Sequence, residues 1–448
     1  MEVTENEKGS YTLSDQTERI TSMDTITQNE AEFDSLFTNC SQQNNEDFLK
    51  EFSYLLEKYD DYLFSKRKDL VICKKVQRKI LTSRGPISFK RRYYLDPNSG
   101  KHLYLLDSIL KIPKYTRISE ELKKKIILSL DHLTLEQAGK DNLPEGYSLS
   151  AVSVYNLLKK ASIRSFYHSF PTSSSTIHVQ IDEKYIHMRN ARKKAGKQRL
   201  YTATIFSGII HNKKRNMLKN RMIISSRNLT ILFNKINYFL KFIYNVSLDS
   251  HIFISGDLAI YIQISPDRIT VCKSTYVPDK FHVAKILKSL FHIPIVKADI
   301  LSGTFVPRIL DLLSNLPKDK WSTDAYTLAH LLHSHPNSLL LWYDPHYFGC
   351  SQEGMNSHYY AFRFDAKPNI FRYNTIDKIC EIINARYNNS SIEISFSHKL
   401  YSISNHFNFE NTFSVDFIFD NPSTPLINYN SFSPSSRRIF KSLSGLID

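Results

Sequence analysis

The sequence predicts an α/β fold: a sheet-based domain with a helical insertion, preceded by a β-hairpin and a group of short helices. Three observations carry this. Between 176 and 257 the apolar residues fall at strand period in three successive runs, then at helical period, then again as a strand. Residues 299–345 are Leu-rich and helical in pattern, with Trp321, Leu328, Leu331, Leu332 and Trp342. Upstream, residues 79–94 read as two strands about a Gly85-Pro86 turn, and three helical patterns follow before 162.

Taken in order, residues 1–47 hold eleven Asp and Glu against Lys8 and Arg19, which predicts a disordered acidic tail, with a short helix near 43–57 leading into the fold. The hairpin interleaves basic and aromatic residues, and Lys90, Arg91 and Arg92 are expected to meet phosphates. A first helix over about 119–131 carries Leu122, Ile126, Leu130 and Leu133 on one stripe. A second opens at the capping box Thr134-Leu-Glu-Gln137, and a third follows Ser148 or Ser150 and runs to about Ala161. This is the layout of a helix-turn-helix over 118–162, in which Ser153, Asn156 and Lys160 lie on the outer face of the third helix and can enter a major groove. A small helical bundle with a solvated basic face is the plainer alternative. Residues 48–170 are thus expected to form a DNA-binding region.

Pro171 to Thr176 reads as a linker, and a domain over 171–390 follows it. Its strands are expected at 176–189, 199–212, 216–226 and 251–257, with an amphipathic helix at 228–246. Three strands, a helix and a strand are the opening order of a ribonuclease H-like fold, here with a helical insertion at 299–345. Residues 391–448, a C-terminal extension of short strand-like runs among Asn, Ser and Pro, suggest no chemistry. A helical face would align His330 with His333 but point His335 elsewhere, and no Cys or carboxylate sits at ligand spacing, so they read as packed or solvated rather than zinc-binding.

The formal charge of +15 favours a polyanionic partner, because cations that neutralise phosphates release condensed counterions. Only 12 glycines in 448 residues argue against phosphate-cradling loops. Five scattered cysteines without a CxxC pair argue against a disulfide framework or a zinc ribbon. No run approaches the roughly 20 apolar residues that span a bilayer, and no signal peptide is evident, so a cytoplasmic protein with no membrane association is expected.

Two carboxylates stand out. Asp182 sits mid-strand in His178-Val-Gln-Ile-Asp-Glu-Lys-Tyr-Ile-His187, and because strand neighbours face opposite sides its neighbour Glu183 is the lesser candidate. Asp257 ends the apolar strand His251-Ile-Phe-Ile-Ser-Gly-Asp257, where α/β sheets place ligands. Asp279 and His282, three apart at the start of a basic helix, can orient a carboxylate or DNA, or Asp279 can simply cap the helix.

These motifs together are similar to the ISLre-type bacterial insertion-sequence transposases (the ISLre-two family) and, more distantly, to the Mutator-like group. The residues that carry the resemblance are Asp182-Glu183, Gly256-Asp-Leu-Ala-Ile-Tyr-Ile262, Asp279-Lys-Phe-His282 and Glu353-Gly-Met-Asn-Ser-His358 with Arg363 soon after. Upstream, Arg78-Lys-Ile-Leu-Thr82, Phe89-Lys-Arg-Arg-Tyr-Tyr94 and Leu105-Leu-Asp107 extend it, so that it covers about 75–385. The resemblance implies a DDE transposase in which Asp182, Asp257 and Glu353 bind two Mg²⁺ or Mn²⁺ per active site. Glu183, Asp279, His282, His358 and Arg363 would support them. It also implies double-stranded DNA partners, the terminal inverted repeats and the target, and a homodimer or larger assembly on DNA. Where that family has glycine after its second Asp, this chain has Leu258, for which a positive φ would be costly. Either the turn differs or the copy is an impaired, DNA-binding derivative. A ribonuclease H-like nuclease without joining activity is the third reading.

Overall fold

The computed structural model describes residues 45–66, 69–170, 175–189, 195–212, 216–317, 319, 321–365 and 371–397. It is a mixed α/β structure in two compact units, one built on residues up to Lys123 with Asn142–Tyr147, the other on Lys124–Asp141 and Ser148–Phe396. Most of the acidic tail, the segment 171–174 and the extension beyond 397 lie outside the described residues. No helix among the described residues is long and apolar enough to cross a membrane.

The first unit is a hairpin covered by one helix. Helix α1 (Asn45–Lys66) is longer than its sequence signal because Phe48, Phe52, Leu55, Tyr59 and Leu63 keep helical spacing to its end, and all are buried. They share one apolar cluster with Ile80 of β1 (Val71–Thr82) and with Ile87, Phe89 and Tyr94 of β2 (Gly85–Leu95). The hairpin closes at Thr82 and Gly85, where Gly85 has φ 145° and a Cβ would lie 2.7 Å from Leu49. The short strand β3 (His102–Leu103) pairs with the end of β2.

Here the expectation for the basic run changes. Arg92 is buried, its guanidinium donating to Asp60 at 2.6 Å and Asp61 at 2.7 Å, both on α1. Arg91 is buried against Asp107, with its Nε 2.9 Å from the carboxylate and its guanidinium 3.7 Å from the centre of the Tyr104 ring. Burial pushes the Asp107 carboxyl up to about 6, against the opposing pull of Arg91. Both arginines therefore answer interior carboxylates and offer no charge to a phosphate. Only Lys90 is exposed.

In the second unit, α2 (Leu135–Asp141) opens on the reciprocal cap expected of it. The Gln137 N–H donates to Thr134 Oγ1, and the Thr134 N–H to Gln137 Oε1, each at 3.2 Å. Helix α3 (Ala151–Lys160) is capped by Ser150, whose Oγ accepts from Ser153 N–H at 3.2 Å. Ser153 is thus engaged in the cap, whereas Asn156 and Lys160 are exposed. Gly139 brings the chain before α3 close to α2: a Cβ there would lie 2.3 Å from the Leu149 carbonyl oxygen. Strand β4 (Ala161–Phe166) follows α3 directly and pairs with a strand from the far end of the unit (Ser391–Phe396).

The central sheet contains β5 (Thr176–Arg189), β6 (Ala195–Phe206), β7 (Met222–Ser226), β8 (His251–Gly256) and β9 (Lys273–Pro278). Its order is β9-β8-β5-β6-β7, with a two-residue strand, Phe371–Arg372, beside the far end of β5. The first three strands in sequence are antiparallel neighbours, and β8 and β9 then add parallel to β5 on its other edge. The strand expected at 216–226 is interrupted by Asn220, at φ 50°, so that Met217–Lys219 pairs separately with Gly208–Ile210.

Helix α4 (Leu229–Tyr238) covers one face of the sheet with Leu232, Phe233 and Ile236, joining Ile177, Val179, Ile205 and Ile254 in the main core. The stretch 299–345 supplies helices Phe305–Ser314 and Thr323–Ser334, whose Ile309, Leu328 and Leu332 extend that core. His330 bonds Gln263 Oε1 through Nδ1 at 2.7 Å, and His335 packs edge-on to Tyr276.

One glycine sets how closely two strands meet. At Gly256 a Cβ would lie 2.2 Å from the Ile181 carbonyl oxygen and 2.9 Å from Ile262 Cδ1. The first contact is with backbone, which cannot yield without moving a strand. Gly256→Ala is expected to lower unfolding free energy by about 1–3 kcal/mol in chemical denaturation. A variant as stable as the parent would show that the two strands can separate freely.

Candidate functional site

The site begins with strand register. The parallel ladder between β5 and β8 ends with Gly256 opposite Ile181, so the next residue on each strand is an aspartate, Asp182 and Asp257. Both lie at the carboxyl end of the parallel pair and line one open pocket of about 250 Å³, together with Asp279, His282 and Glu353. The walls include Ile181, Gly256, Phe281 and the segment from Cys350 to Gly354.

Asp182 Oδ1 accepts from the Glu183 N–H at 2.7 Å, and Oδ2 accepts from Asn356 Nδ2 at 2.8 Å. Burial nevertheless pushes its carboxyl up to about 6, and the nearby Asp257 charge adds to the rise. Asp257 is raised as well, chiefly by burial, although Oδ1 accepts from the Ala259 N–H at 3.0 Å. The Asp257 carbonyl accepts from Tyr276 Oη at 2.7 Å, which fixes the turn from below. Leu258 does not take a positive φ; its side chain is buried in the core and its carbonyl accepts from Gln263 Nε2 at 2.6 Å. The turn therefore needs no glycine at 258.

The segment carrying Glu353 is tied to β5 and β6 by polar groups that sequence reasoning missed. Gln180 precedes Asp182 by two residues, the strand spacing for a shared face. Its Nε2 donates to the Gly349 carbonyl at 2.9 Å, and its Oε1 accepts from Ser351 N–H and Oγ, each at 3.1 Å. Helix α5 (Gln352–Asn356) follows. Asn356, one helical turn beyond Glu353, donates to Asp182 and accepts from Thr202 Oγ1 at 2.7 Å, and Thr202 stands directly opposite Asp182 on β6. Glu353 itself is exposed at the pocket's rim. A local signal for Asn356 was its spacing, three residues after Glu353 or about one helical turn.

Asp279 caps helix α6 (Lys280–Phe291), its Oδ1 accepting from the Phe281 N–H at 3.2 Å, while Oδ2 lies 2.5 Å from His282 Nδ1. That hydrogen bond raises the His282 pKa, and the charges of Asp279, Asp257 and Asp182 reinforce it. The pair is thus both a helix cap and part of the pocket.

The other expected supporting residues are elsewhere. Glu183 turns to the opposite face of β5, accepting from Tyr185 Oη at 2.7 Å with Arg199 Nε at 3.5 Å. His358 is exposed and packs against Tyr359. Arg363 is buried, its Nε donating to the Leu130 carbonyl at 2.8 Å and its guanidinium 4.9 Å from the centre of the Phe371 ring; desolvation lowers its pKa to about 10. It ties helices together and does not line the pocket.

The carboxylates present hard oxygen donors of the kind Mg²⁺ and Mn²⁺ take. The one thiol in the wall, Cys350, is kept neutral by burial, its pKa pushed up to about 12. Among the described residues no three His, Cys, Asp or Glu side chains stand close enough to hold one ion as they are.

Residues 26–299 match the profile of the uncharacterised protein family UPF0236. Curated relatives include UPF0236 protein TTE2489 of Caldanaerobacter subterraneus subsp. tengcongensis, 23% identical over 66% of this chain and 66% of its own length. UPF0236 protein TTE0402 of the same organism is 23% identical over 66% of this chain and 62% of its length. The chain thus spans just under two thirds of these relatives. A further relative, also 23% identical, carries a name that covers eleven loci of that one genome.

The electrostatics predict how the ion-free protein responds to pH. A carboxyl whose pKa is raised on folding is charged at a cost, so its contribution to stability falls as pH rises from the unfolded value, near 4, through the folded value. For Asp182 that window is about 4 to 6. In chelator-treated protein, Asp182→Asn is expected to match the parent near pH 4 and to exceed it by about 1–3 kcal/mol at pH 8 in urea unfolding. A gap that does not widen with pH would contradict the assignment.

Proposed function

The chain belongs to the UPF0236 family, and we propose that it is a DDE-type DNA transposase, similar to the ISLre type, whose catalytic unit is ribonuclease H-like. The observation that carries the reading is the convergence of Asp182, Asp257 and Glu353 on one pocket, from two adjacent strand ends and a helix distant in sequence. Sheet order supports it: three antiparallel strands, then two parallel to the first on its other edge, is the order a ribonuclease H-like unit would have. A relative whose name covers eleven loci of one genome supports it too, since replicating elements leave such copies.

In this reading Asp182 and Asp257 would hold Mg²⁺ or Mn²⁺, with Glu353 moving in from the rim to join them. Two such ions, when bound, supply the positive charge that activates an attacking oxygen and stabilises a leaving oxygen. The chain's own residues do the rest. Asn356 fixes one oxygen of Asp182, leaving the carboxylate a defined orientation. The Gln180 amide holds the approach to α5, so that Glu353 waits at the rim. His282 gives Nδ1 to Asp279 and keeps Nε2 for a phosphate oxygen or for a proton at the leaving oxygen. The exposed Asn156 and Lys160 of α3, with Lys90 of the hairpin, are the candidates for holding the element's ends, and two ends call for at least two protomers. An impaired copy is no longer required by Leu258, because the turn accommodates it.

The test is strand cleavage and joining on DNA taken from both flanks of the coding sequence, with Mg²⁺ or Mn²⁺. The parent is expected to nick and join, and Asp182→Ala, Asp257→Ala and Glu353→Ala to lose on the order of a thousandfold in rate. Cleavage without joining would favour a nuclease, and a parent no more active than the variants would overturn the reading. A second readout needs no DNA. Mn²⁺ is expected to raise the thermal midpoint of the parent and not that of Asp182→Asn/Asp257→Asn.

A further inference from the structure

Beyond Asp182, β5 and β6 continue as an arm, joined at the far end of β5 by Phe371–Arg372, whose two faces differ. One face carries Ile186 and Met188, both 1% exposed, and is packed. The other carries Tyr185, His187 and Arg189 on β5 and Lys197 and Arg199 on β6, all exposed. Register sets them in cross-strand pairs, Tyr185 opposite Arg199 and His187 opposite Lys197, with Glu183 opposite Tyr201 at the base. The Arg199 guanidinium lies 5.9 Å from the centre of the Tyr185 ring, and half of the tyrosine remains open to solvent. The base of this face, on the side of β5 away from Asp182, lies next to the turn that carries Asp257: Tyr201 packs edge-on to Tyr261 at 5.4 Å, and Tyr261 belongs to the short helix that follows Asp257.

Three cations, a histidine and an exposed phenol ring on one face of a strand pair, next to the turn that carries Asp257, fit a nucleic-acid strand. Cations track the phosphates, and aromatic rings stack on bases. Among the described residues of this face the one acid, Glu183, is already engaged by Tyr185 and Arg199. The ring chemistry selects the form of the strand: in a duplex the base faces are occupied by their neighbours, whereas an unpaired base offers a face to Tyr185. We propose that the outer face of the β5–β6 arm binds an unpaired stretch of the DNA strand whose phosphate lies at the carboxylates. This inference rests on the transposase reading and adds to it the path of the strand and its unpaired state.

The experiment measures the full-length protein's affinity for an element-end duplex with a single-stranded overhang, and for the same duplex made blunt, by fluorescence anisotropy without divalent ions. Arg189→Ala/Lys197→Ala/Arg199→Ala is expected to weaken overhang binding tenfold or more and to reduce the slope of log K on log salt by about 2, at roughly 0.7 per phosphate contact on a single strand. Blunt-duplex binding is expected to stay within about twofold. Tyr185→Ala should weaken overhang binding about 5- to 100-fold, and should restore the fluorescence of a 2-aminopurine at the first unpaired position, while Tyr185→Phe keeps the parent's behaviour. Thermal unfolding checks that each variant is folded, and Lys197→Glu alone provides a milder charge test with the same expected direction. Unchanged overhang binding, an equal loss on blunt duplex, or a change in oligomeric state instead of affinity would overturn the proposal. If the parent cleaves DNA while the arm variants bind normally, this inference fails alone. If the parent binds neither DNA, the transposase reading fails with it.

Discussion

The site depends on one interaction, the parallel pairing of β8 on β5 that stops at Gly256 and Ile181. Parallel strands keep equivalent residues level, so the first residue beyond the ladder on each strand emerges at the same height. Both happen to be aspartates. A slip of one residue would move either carboxylate about 3.3 Å along its strand and turn it to the other face. The close approach that Gly256 permits, with the Ile181 carbonyl where a Cβ would stand, locks that register at the point where it matters. Nothing in the pocket could be assembled on a looser crossing.

Placing two carboxylates side by side in a half-buried pocket has a cost, and the surrounding groups show how it is met. Burial raises both aspartates, and each is stabilised as an anion by a backbone N–H: Glu183 for one, Ala259 for the other. Asn356 adds a neutral donor to Asp182, and His282 nearby favours the charged form of both aspartates electrostatically. Asn356 has a second consequence. Because it sits on the helix that carries Glu353, the bond that quiets Asp182 also brings the third acid to the rim. Electrostatic relief and assembly of the site are the same contact.

This coupling explains what could be read in the sequence. Asp182 and Asp257 were legible because a strand reports its own geometry: an acid in an apolar alternating run, and an acid at the end of one, are each visible locally. Glu353 was not, since its place is fixed by Gln180 and Thr202 across more than 150 residues of chain, and only family resemblance singled it out. The same limit misled the reading of the hairpin. Arg91 is in phase with Ile87 and Phe89 on the inner side of β2, a signal that was available, but Arg92 is covered by Asp60 and Asp61 of a helix whose packing the hairpin sequence does not reveal. Arg363 failed for a like reason, its partner being a backbone carbonyl at Leu130. The helix caps at Thr134 and Ser150, which involve neighbours three residues apart, were legible and formed as expected.

The two basic features of the chain therefore do different physical work. Arg91 and Arg92 are spent inside the first unit on carboxylates that burial would otherwise make costly, and removing either partner would strand a buried charge. Arg189, Lys197 and Arg199 stand in solvent, where surface pairing is worth little and charge stays available to a partner. A net charge of +15 does not distinguish these cases. What distinguishes them is whether a carboxylate waits on the facing element, and among the described residues of the outer face of the β5–β6 arm the only one is Glu183, at its base. A pocket of carboxylates repels a phosphate, and a ribbon of cations beside it attracts one. On the proposed function these opposed fields suit a site in which the arm can hold a strand while cations complete the carboxylate pocket.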